Sequence, residues 1–549
     1  MTLYHKCCNI SRMSANTNLL KHAFGMSRLH AFLVIFLIWA GIYLPGIGIQ
    51  ELKGEEGRRI FPAVTMIETG NWIVPSVGGE FYYSKPPFIN WLVGLSFLIT
   101  NEQSELTARI PSAIAVLCFV TLLIFGRGSW LGLPSRLIGS IVFLTQIVMI
   151  EKGRLIEIEA IYTCLTGMAM LWWLDTRSAS APLWNQWLFP GMLLACAMLT
   201  KGPLAVILFV VLVISVSGYQ HRFKDLVNFW AVLFLAIVIL IPLGWGYLAS
   251  QQVDSSLMAE KMSGQMATRF SLSSFSFAEW IGNFFKGMFN FLPWLVFVPM
   301  LWMKQLTSEI EPLNKQLFKG CRLALIIGFV GIHLLPSGSS RYSIPILPLA
   351  SIMIGWILSL EAALIPKNKL WLNTILALLV AACFSAIAGT AYFGLSRYGF
   401  VVIVTSICGI VILIKNRGYL NNNISLSLMT AGLFVFVMIQ YALFAPHVIK
   451  KYEESRPIGK LINSLLPEDE TLYVFKPGYQ AFLFYVREPF TYCVKYEQIN
   501  EEIHYLLLRE SELERIEEYL KNQNRPWQMI NKFDTQNKGA FYLLKLSPT

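Results

Sequence analysis

Two adjacent carboxylates, Glu55 and Glu56, are followed by two adjacent guanidiniums, Arg58 and Arg59, in the segment "KGEEGRR" at residues 53–59. A carboxylate fixed beside cations is the arrangement of a general base next to an anion site. The same four residues also make an ordinary solvated turn beside a membrane, because opposite charges partly neutralise one another there. Lys85 stands at the start of "KPPFINW". Two prolines suit a helix start, and the dipole and free N–H groups at that end favour an anion. With a lysine at the same place, a lipid phosphate fits; an interfacial anchor that snorkels to water is the alternative. "GRLIEIEA" sets Glu157 and Glu159 beside Arg154, "LTKGP" supplies Lys201, "QMATRFS" supplies Arg269, and "SGSSRYSIP" supplies Arg341 and Tyr342. Each is unremarkable alone. Gathered on one face, they would make a cationic pocket with a few acids.

The elements that must position these groups are read from hydropathy. The chain is 55% hydrophobic and only 14% charged over 549 residues, with a mean hydropathy of +0.54, against roughly 25% charge in a soluble domain. It reads as an α-helical polytopic membrane protein. Apolar runs recur at 29–48, 107–127, 134–150, 158–175, 183–200, 202–220, 226–249, 280–303, 318–336, 342–362, 370–394, 397–415 and 424–446, about thirteen spans. Residues 1–28 form a basic cytoplasmic leader with Met13 and Met26 as alternative starts, and the run after it is too long for a signal-peptide core. Phe88–Thr100 is short and reads as an interfacial or re-entrant helix in a long first outer loop, 49–106. With that assignment "GRGSWLGLPSR", "DTRSAS", "YQHRFKD" and "PKNK" all fall on the cytoplasmic side, as the positive-inside rule requires. The acids and cations named above then share the periplasmic or extracellular face of the membrane.

From about 447 the pattern changes. "TLYVF", "FTYCV", "IHYLLL", "WQMIN" and "FYLLKL" read as short strands, and "EESRPIGKLINSLL" and "ESELERIEEYLKNQ" as helices, so residues 447–549 form a small α/β domain behind the membrane region 29–446. The net charge of +11 lies largely in short loops, and no nucleic-acid reading module accompanies it; nucleic acid is not an expected partner. The nine cysteines show no CxxC pair, and most lie in apolar runs, so neither a disulfide framework nor a zinc ribbon is expected.

Taken in order, "EEGRR", "GNWIVPSVGGEFYYSKPPFINW", "ARIPSA", "GRLIEIEA", "LTKGPLA", "FLPW" and "SRYSIPILPLAS" resemble the bacterial protein-O-mannosyltransferase superfamily, with the aminoarabinose transferases of lipid A as the nearest branch. The resemblance covers about 29–360 and implies a GT-C fold with a polyprenyl-phosphate-linked sugar as donor. It places Glu55 on the catalytic acid, usually Asp, and Glu56 on the second acid. Arg58 falls on the arginine that follows, Lys85 and Arg269 on cations that hold the donor phosphate, and Glu159 on an aspartate at the start of a span. Arg59 stands where the aminoarabinose branch has Tyr and Ser84 where it has Glu, and residues 250–279 contain no His. Those positions carry zinc in that branch, so no metal or other cofactor is expected.

The expected activity is therefore transfer of a sugar from a polyprenyl phosphate to an envelope acceptor such as lipid A, another glycolipid or a glycan. Glu55, Glu56 and Glu159 form the catalytic set, Arg58, Lys85 and Arg269 hold the phosphate, and Arg59, Lys201, Arg341 and Tyr342 line the pocket. A protein O-mannosyltransferase shares the chemistry. A lipid or sugar transporter would place charge near the membrane midplane instead of at one face.

Overall fold

Long apolar runs leave backbone groups no solvent partner in a bilayer, so the chain satisfies them within helices. The computed structural model describes residues 26–82, 85–253, 276–304, 310–334, 338–360, 453–487, 490–535 and 539–547, with isolated positions between these segments. The expected spans 370–394 and 397–415, most of 424–446, and Arg269 lie outside the described residues.

The helices in chain order are α1 (Arg28–Tyr43), α2 (Gly57–Thr69), α3 (Phe88–Thr100), α4 (Glu105–Phe125), α5 (Leu133–Leu144), α6 (Ile147–Gly153), α7 (Ile158–Ser178), α8 (Leu183–Met198), α9 (Leu204–Tyr219), α10 (Phe229–Ser250), α11 (Phe277–Phe289), α12 (Pro312–His333), α13 (Leu347–Leu358), α14 (Ser455–Leu465) and α15 (Glu510–Asn522). Among the described residues, four helical stretches are long and apolar enough to cross a membrane, or six if each of two bent pairs counts as one span. The run expected at 134–150 is broken between α5 and α6 by 68°, and the run at 280–303 bends by 92° between α11 and the 3₁₀ segment Trp294–Trp302. Pro293 lies at the second break and Pro299 beyond it; proline withholds a backbone donor and clashes with the preceding turn. Helix α3 has 13 residues, a rise of about 20 Å, short of the ~30 Å hydrocarbon core. It ends at Asn101, whose left-handed φ of 52° closes it. Where α5 meets α13, a Cβ on Gly355 would stand 2.4 Å from the Gly139 nitrogen, so glycine permits contact between the backbones.

In the first loop, β1 (Ser76–Val77) and β2 (Glu80–Phe81) make a two-residue antiparallel ladder. In the C-terminal domain, β3 (Leu472–Phe475), β4 (Phe490–Cys493), β5 (Tyr505–Arg509), β6 (Trp527–Thr535) and β7 (Gly539–Leu546) form one sheet in the order β4-β3-β5-β7-β6. The first three strands in that order are parallel, and β7 pairs antiparallel with both β5 and β6. Side chains alternate across it, as strand geometry dictates. Leu472, Val474, Tyr505, Leu507, Phe541 and Leu543 face one core with Ile462 near the end of α14. Leu506, Leu508, Tyr542 and Leu544 face the other with Ile516 and Leu520 of α15. Phe61 of α2 and Val77 of β1 complete the first of these cores, so the first loop is built into the C-terminal domain.

Candidate active site

The "KGEEGRR" segment folds as a turn that opens a helix. Gly54 takes φ +50°, a conformation glycine adopts at little cost. The Glu56 N–H donates to the Lys53 carbonyl at 3.0 Å, and the N–H groups of Arg58 and Arg59 donate to the carbonyls of Glu55 and Glu56. Both acids thus sit at the N-terminus of α2, where the helix dipole favours negative charge. Their environments diverge at once. Glu56 is fully buried. Its two oxygens accept from Arg109 Nε and Nη2, each at 2.8 Å, from the Lys53 N–H at 2.9 Å and from the Ile156 N–H at 3.0 Å. Arg109 uses its remaining hydrogens on the carbonyls of Ile47, Gln50 and Glu51. Glu55 is 31% exposed. It accepts from Arg58 Nη1 at 2.9 and 3.2 Å and from the Tyr479 hydroxyl at 3.5 Å, and Arg59 Nη2 stands 3.8 Å away. The Arg58 guanidinium stacks over the Tyr479 ring at 4.2 Å. Burial and the charge of Glu55 push the Tyr479 phenol above its ordinary pKa, so the hydroxyl stays a donor. Arg59 is buried and donates to the Tyr82 hydroxyl at 3.3 Å, while its Nε has no hydrogen-bond partner.

The motifs separated in sequence close into a ring. Asn90 of α3 donates to the Arg59 carbonyl at 2.8 Å. The Phe88 N–H, at the helix start beside Lys85, donates to the Leu199 carbonyl at 3.2 Å, so "KPP" abuts "LTKGP" and that N–H is answered by protein. Two residues on, Lys201 pairs with Glu159 at 3.1 Å, with the ring centroids of Tyr342 and Tyr162 at 5.4 and 5.9 Å. The Tyr162 hydroxyl donates to the Gly202 carbonyl and accepts from the Ala205 N–H. It thereby clamps a turn that Gly202 enters at φ +109°. Glu159 leads back along the chain to Ile156, whose N–H meets Glu56. Beside this ring Glu157 pairs with Lys152 at 2.8 Å; burial raises the Glu157 carboxyl pKa, with the Lys152 and Arg341 charges pulling it back. Arg341 is exposed, and Lys85 is half-buried at the start of α3. The structure therefore brings together Glu55, Glu56, Arg58, Arg59, Glu159, Lys201 and Tyr342 around one ring, with Lys85 and Arg341 beside it.

Among the described residues no group of three His, Cys, Asp or Glu side chains could hold a metal ion. Of the positions linked to zinc in the aminoarabinose branch, Arg59 is a guanidinium facing Glu55, which cannot ligate a metal.

Residues 84–245 match the family model for dolichyl-phosphate-mannose-protein mannosyltransferases. The undecaprenyl phosphate-α-4-amino-4-deoxy-L-arabinose arabinosyl transferase of Shewanella sediminis is 27% identical over 229 residues, covering 39% of this chain and 40% of that protein. The enzyme of the same description from Pseudomonas savastanoi pv. phaseolicola is 26% identical over 230 residues, with 42% of each chain covered. The chain thus spans about two fifths of the curated relatives it matches. The crystal structure of ArnT from Cupriavidus metallidurans bound to undecaprenyl phosphate superposes with a TM-score of 0.68 at 14% identity, over 94% of this chain and 97% of that one. The chain therefore has the GT-C fold of that structure, and its residues 84–245 are similar to the dolichyl-phosphate-mannose-protein mannosyltransferases.

In this GT-C protein several site residues escaped the sequence reading. Arg109 lies in the quoted "ARIPSA", and a charge at the edge of an apolar run was its signal. Tyr479, Tyr485, Glu51 and Glu105 gave none, because their partners are hundreds of residues away. The Tyr485 hydroxyl accepts from the Leu52 N–H at 2.8 Å and donates to Glu105 at 2.9 Å. Arg456 pairs with Glu105 at 2.6 Å. Buried Glu51 accepts from the backbone N–H groups of Glu454 and Arg456, each at 2.8 Å, and so caps the start of α14.

Proposed function

We propose that this protein transfers a sugar from a polyprenyl-phosphate donor to an envelope acceptor (lipid A, another glycolipid or a glycan) at the outward face of a bacterial inner membrane, with Glu55 as the acid that orients and deprotonates the acceptor. One observation supports this division of labour above the others. Of two neighbouring carboxylates, Glu56 has both oxygens committed to buried donors, whereas Glu55 is partly open and ringed by Arg58, Arg59 and Tyr479. In the proposed reaction the acceptor oxygen attacks the anomeric carbon and its proton passes to Glu55. The bond from that carbon to the phosphate oxygen breaks, and polyprenyl phosphate leaves with the electron pair. Direct displacement inverts the anomeric centre. The leaving phosphate gains charge in the transition state, which preorganised cations stabilise; Arg58, Lys85 and Arg269 take that role, with Arg59 beside them. Glu56 and Glu159 then act as positioning residues, Glu56 through Arg109 and Glu159 through Lys201. The expected partners are the lipid-linked sugar, the acceptor and the bilayer.

Purified Glu55→Gln should lose transfer from a polyprenyl-phosphate sugar by at least ~10²-fold while binding polyprenyl phosphate as the parent does. Full turnover in that variant removes Glu55 from the reaction. A protein acceptor is the second reading, favoured by the description of the family model that matches residues 84–245. Glycan-bearing peptides, rather than glycolipids, disappearing from a knockout strain would decide for it.

A further inference from the structure

Helix α7 links two charged ends. Glu159 lies in its first turn, in the ring just described, and Arg177 in its last. Eighteen residues separate them, a rise of roughly 27 Å, close to the ~30 Å thickness of a bilayer core. Arg177 therefore lies at the opposite membrane face, which the transfer chemistry does not use. There the end of α7, the start of α8 and the 3₁₀ turn Phe223–Leu226 enclose a cavity of about 450 Å³, lined by Arg177, Gln186, Arg222, Lys224, Asp225 and Asn228 among others.

Basic loops at this face are what membrane topology requires, and such charges are ordinarily solvated. Arg177 is not: its side chain is 3% exposed. Its Nε donates to Gln220 and its Nη1 to Asp225, both at 3.1 Å, but its Nη2 has no partner. Gln186, 3% exposed, leaves its Nε2 unanswered as well. Two orphaned buried donors on one cavity are unusual, because buried polar groups in native proteins are paired almost without exception. Charge points the same way. Asp225 Oδ2 already answers both Arg177 and Arg222, so three cations face one carboxylate. Of the lining residues Leu183 is 40% and Val227 86% exposed, and Trp184 and Phe223, each next in the chain to a lining residue, are 51% and 52% exposed. A small anion has no use for these apolar side chains; acyl chains do.

We propose that this cavity is a phosphate site that seats the headgroup of an anionic membrane lipid, on the membrane face opposite the transfer site. Arg177 Nη2 and Gln186 Nε2 donate to the phosphate oxygens, Arg222 and Lys224 add charge at the mouth, and Trp184, Phe223 and Val227 meet the chains. The site is independent of Glu55, so its failure would leave the proposed transfer reaction untouched.

The test is thermal unfolding of the full-length protein in detergent, titrated separately with phosphatidylglycerol, phosphatidylcholine and inorganic phosphate. Phosphatidylglycerol should raise Tm saturably and phosphatidylcholine should not. In the double variant Arg222→Ala, Lys224→Ala the half-saturating concentration should rise roughly tenfold or more, the usual consequence of losing a charged donor. Gln186→Leu removes an orphaned donor without unpairing any other group, so it should keep the parent Tm in the absence of lipid and weaken the lipid response. Equal shifts from both lipids, or an unchanged half-saturation in both variants, overturns the site. A full shift from inorganic phosphate with none added by phosphatidylglycerol overturns the lipid as its source.

Discussion

A carboxylate whose oxygens already accept from Arg109, Lys53 and Ile156 has little left to offer a substrate, while one that meets a hydroxyl and two guanidiniums at an open seam has. Glu55 and Glu56 are neighbours in sequence, and the sequence reading could only rank them by resemblance. Their separation into two roles depends on Arg109, 53 residues away from Glu56, and on Tyr479, 424 residues from Glu55. Substitution should divide them. Glu56→Ala leaves the Arg109 guanidinium buried without its counter-ion, a loss of about 3–5 kcal/mol, so Tm should fall sharply before any assay of transfer is possible. Glu55→Gln should leave Tm close to that of the parent while transfer fails. A normal Tm in Glu56→Ala would show that the buried pair contributes nothing to the fold.

Elements announce themselves in sequence to the extent that their cause is local. The five strands of the C-terminal sheet were legible because alternation is a property of consecutive residues: "TLYVF" became Leu472–Phe475 and "IHYLLL" became Tyr505–Arg509. The 68° break was not legible, since hydropathy reports how willingly a run enters lipid and says nothing of whether it runs straight; at the 92° break Pro293 was visible, but a proline marks where a helix is interrupted and not by how much. The turn at "LTKGP" combines both cases. Its glycine was visible; its need for φ +109° was not. A Cβ at Gly202 would meet nothing within 4 Å, so Gly202→Ala tests backbone strain alone. A loss of about 1–3 kcal/mol in unfolding free energy is expected. The KM for the donor should rise, because the same turn sets Lys201 against Glu159. Unchanged Tm and KM together would mean that the turn tolerates an ordinary side chain.

At the scale of the molecule, the C-terminal domain is part of the site's construction. Tyr479 touches Glu55, Tyr485 joins Leu52 to Glu105, and Phe61 and Val77 lie in the sheet's own core. The sequence showed the apolar runs and the alternating C-terminal strands as separate patterns; it held no sign that they meet, because a docking contact leaves no periodicity. Glu51→Ala removes both acceptors at the start of α14, and each unanswered buried N–H costs about 1–3 kcal/mol. Hydrogen exchange should accelerate in 49–59 and 453–465 together, with transfer reduced through the loosened Glu55. Acceleration confined to one of the two segments would show that they are not coupled.

The cap that Glu51 provides also has a timetable. Its partner, the Glu454 N–H, lies 403 residues further along the chain. At ~5–20 residues per second of synthesis, roughly 20–80 s pass after Glu51 is made before its partner exists. For that interval the newborn first loop has a carboxylate with no helix to cap and two apolar side chains, Phe61 and Val77, with no sheet to cover them. Maturation of the proposed transfer site is therefore a late event in biogenesis, and a chain cut short before residue 454 carries Glu55 and Glu56 without the surface that sets them in place.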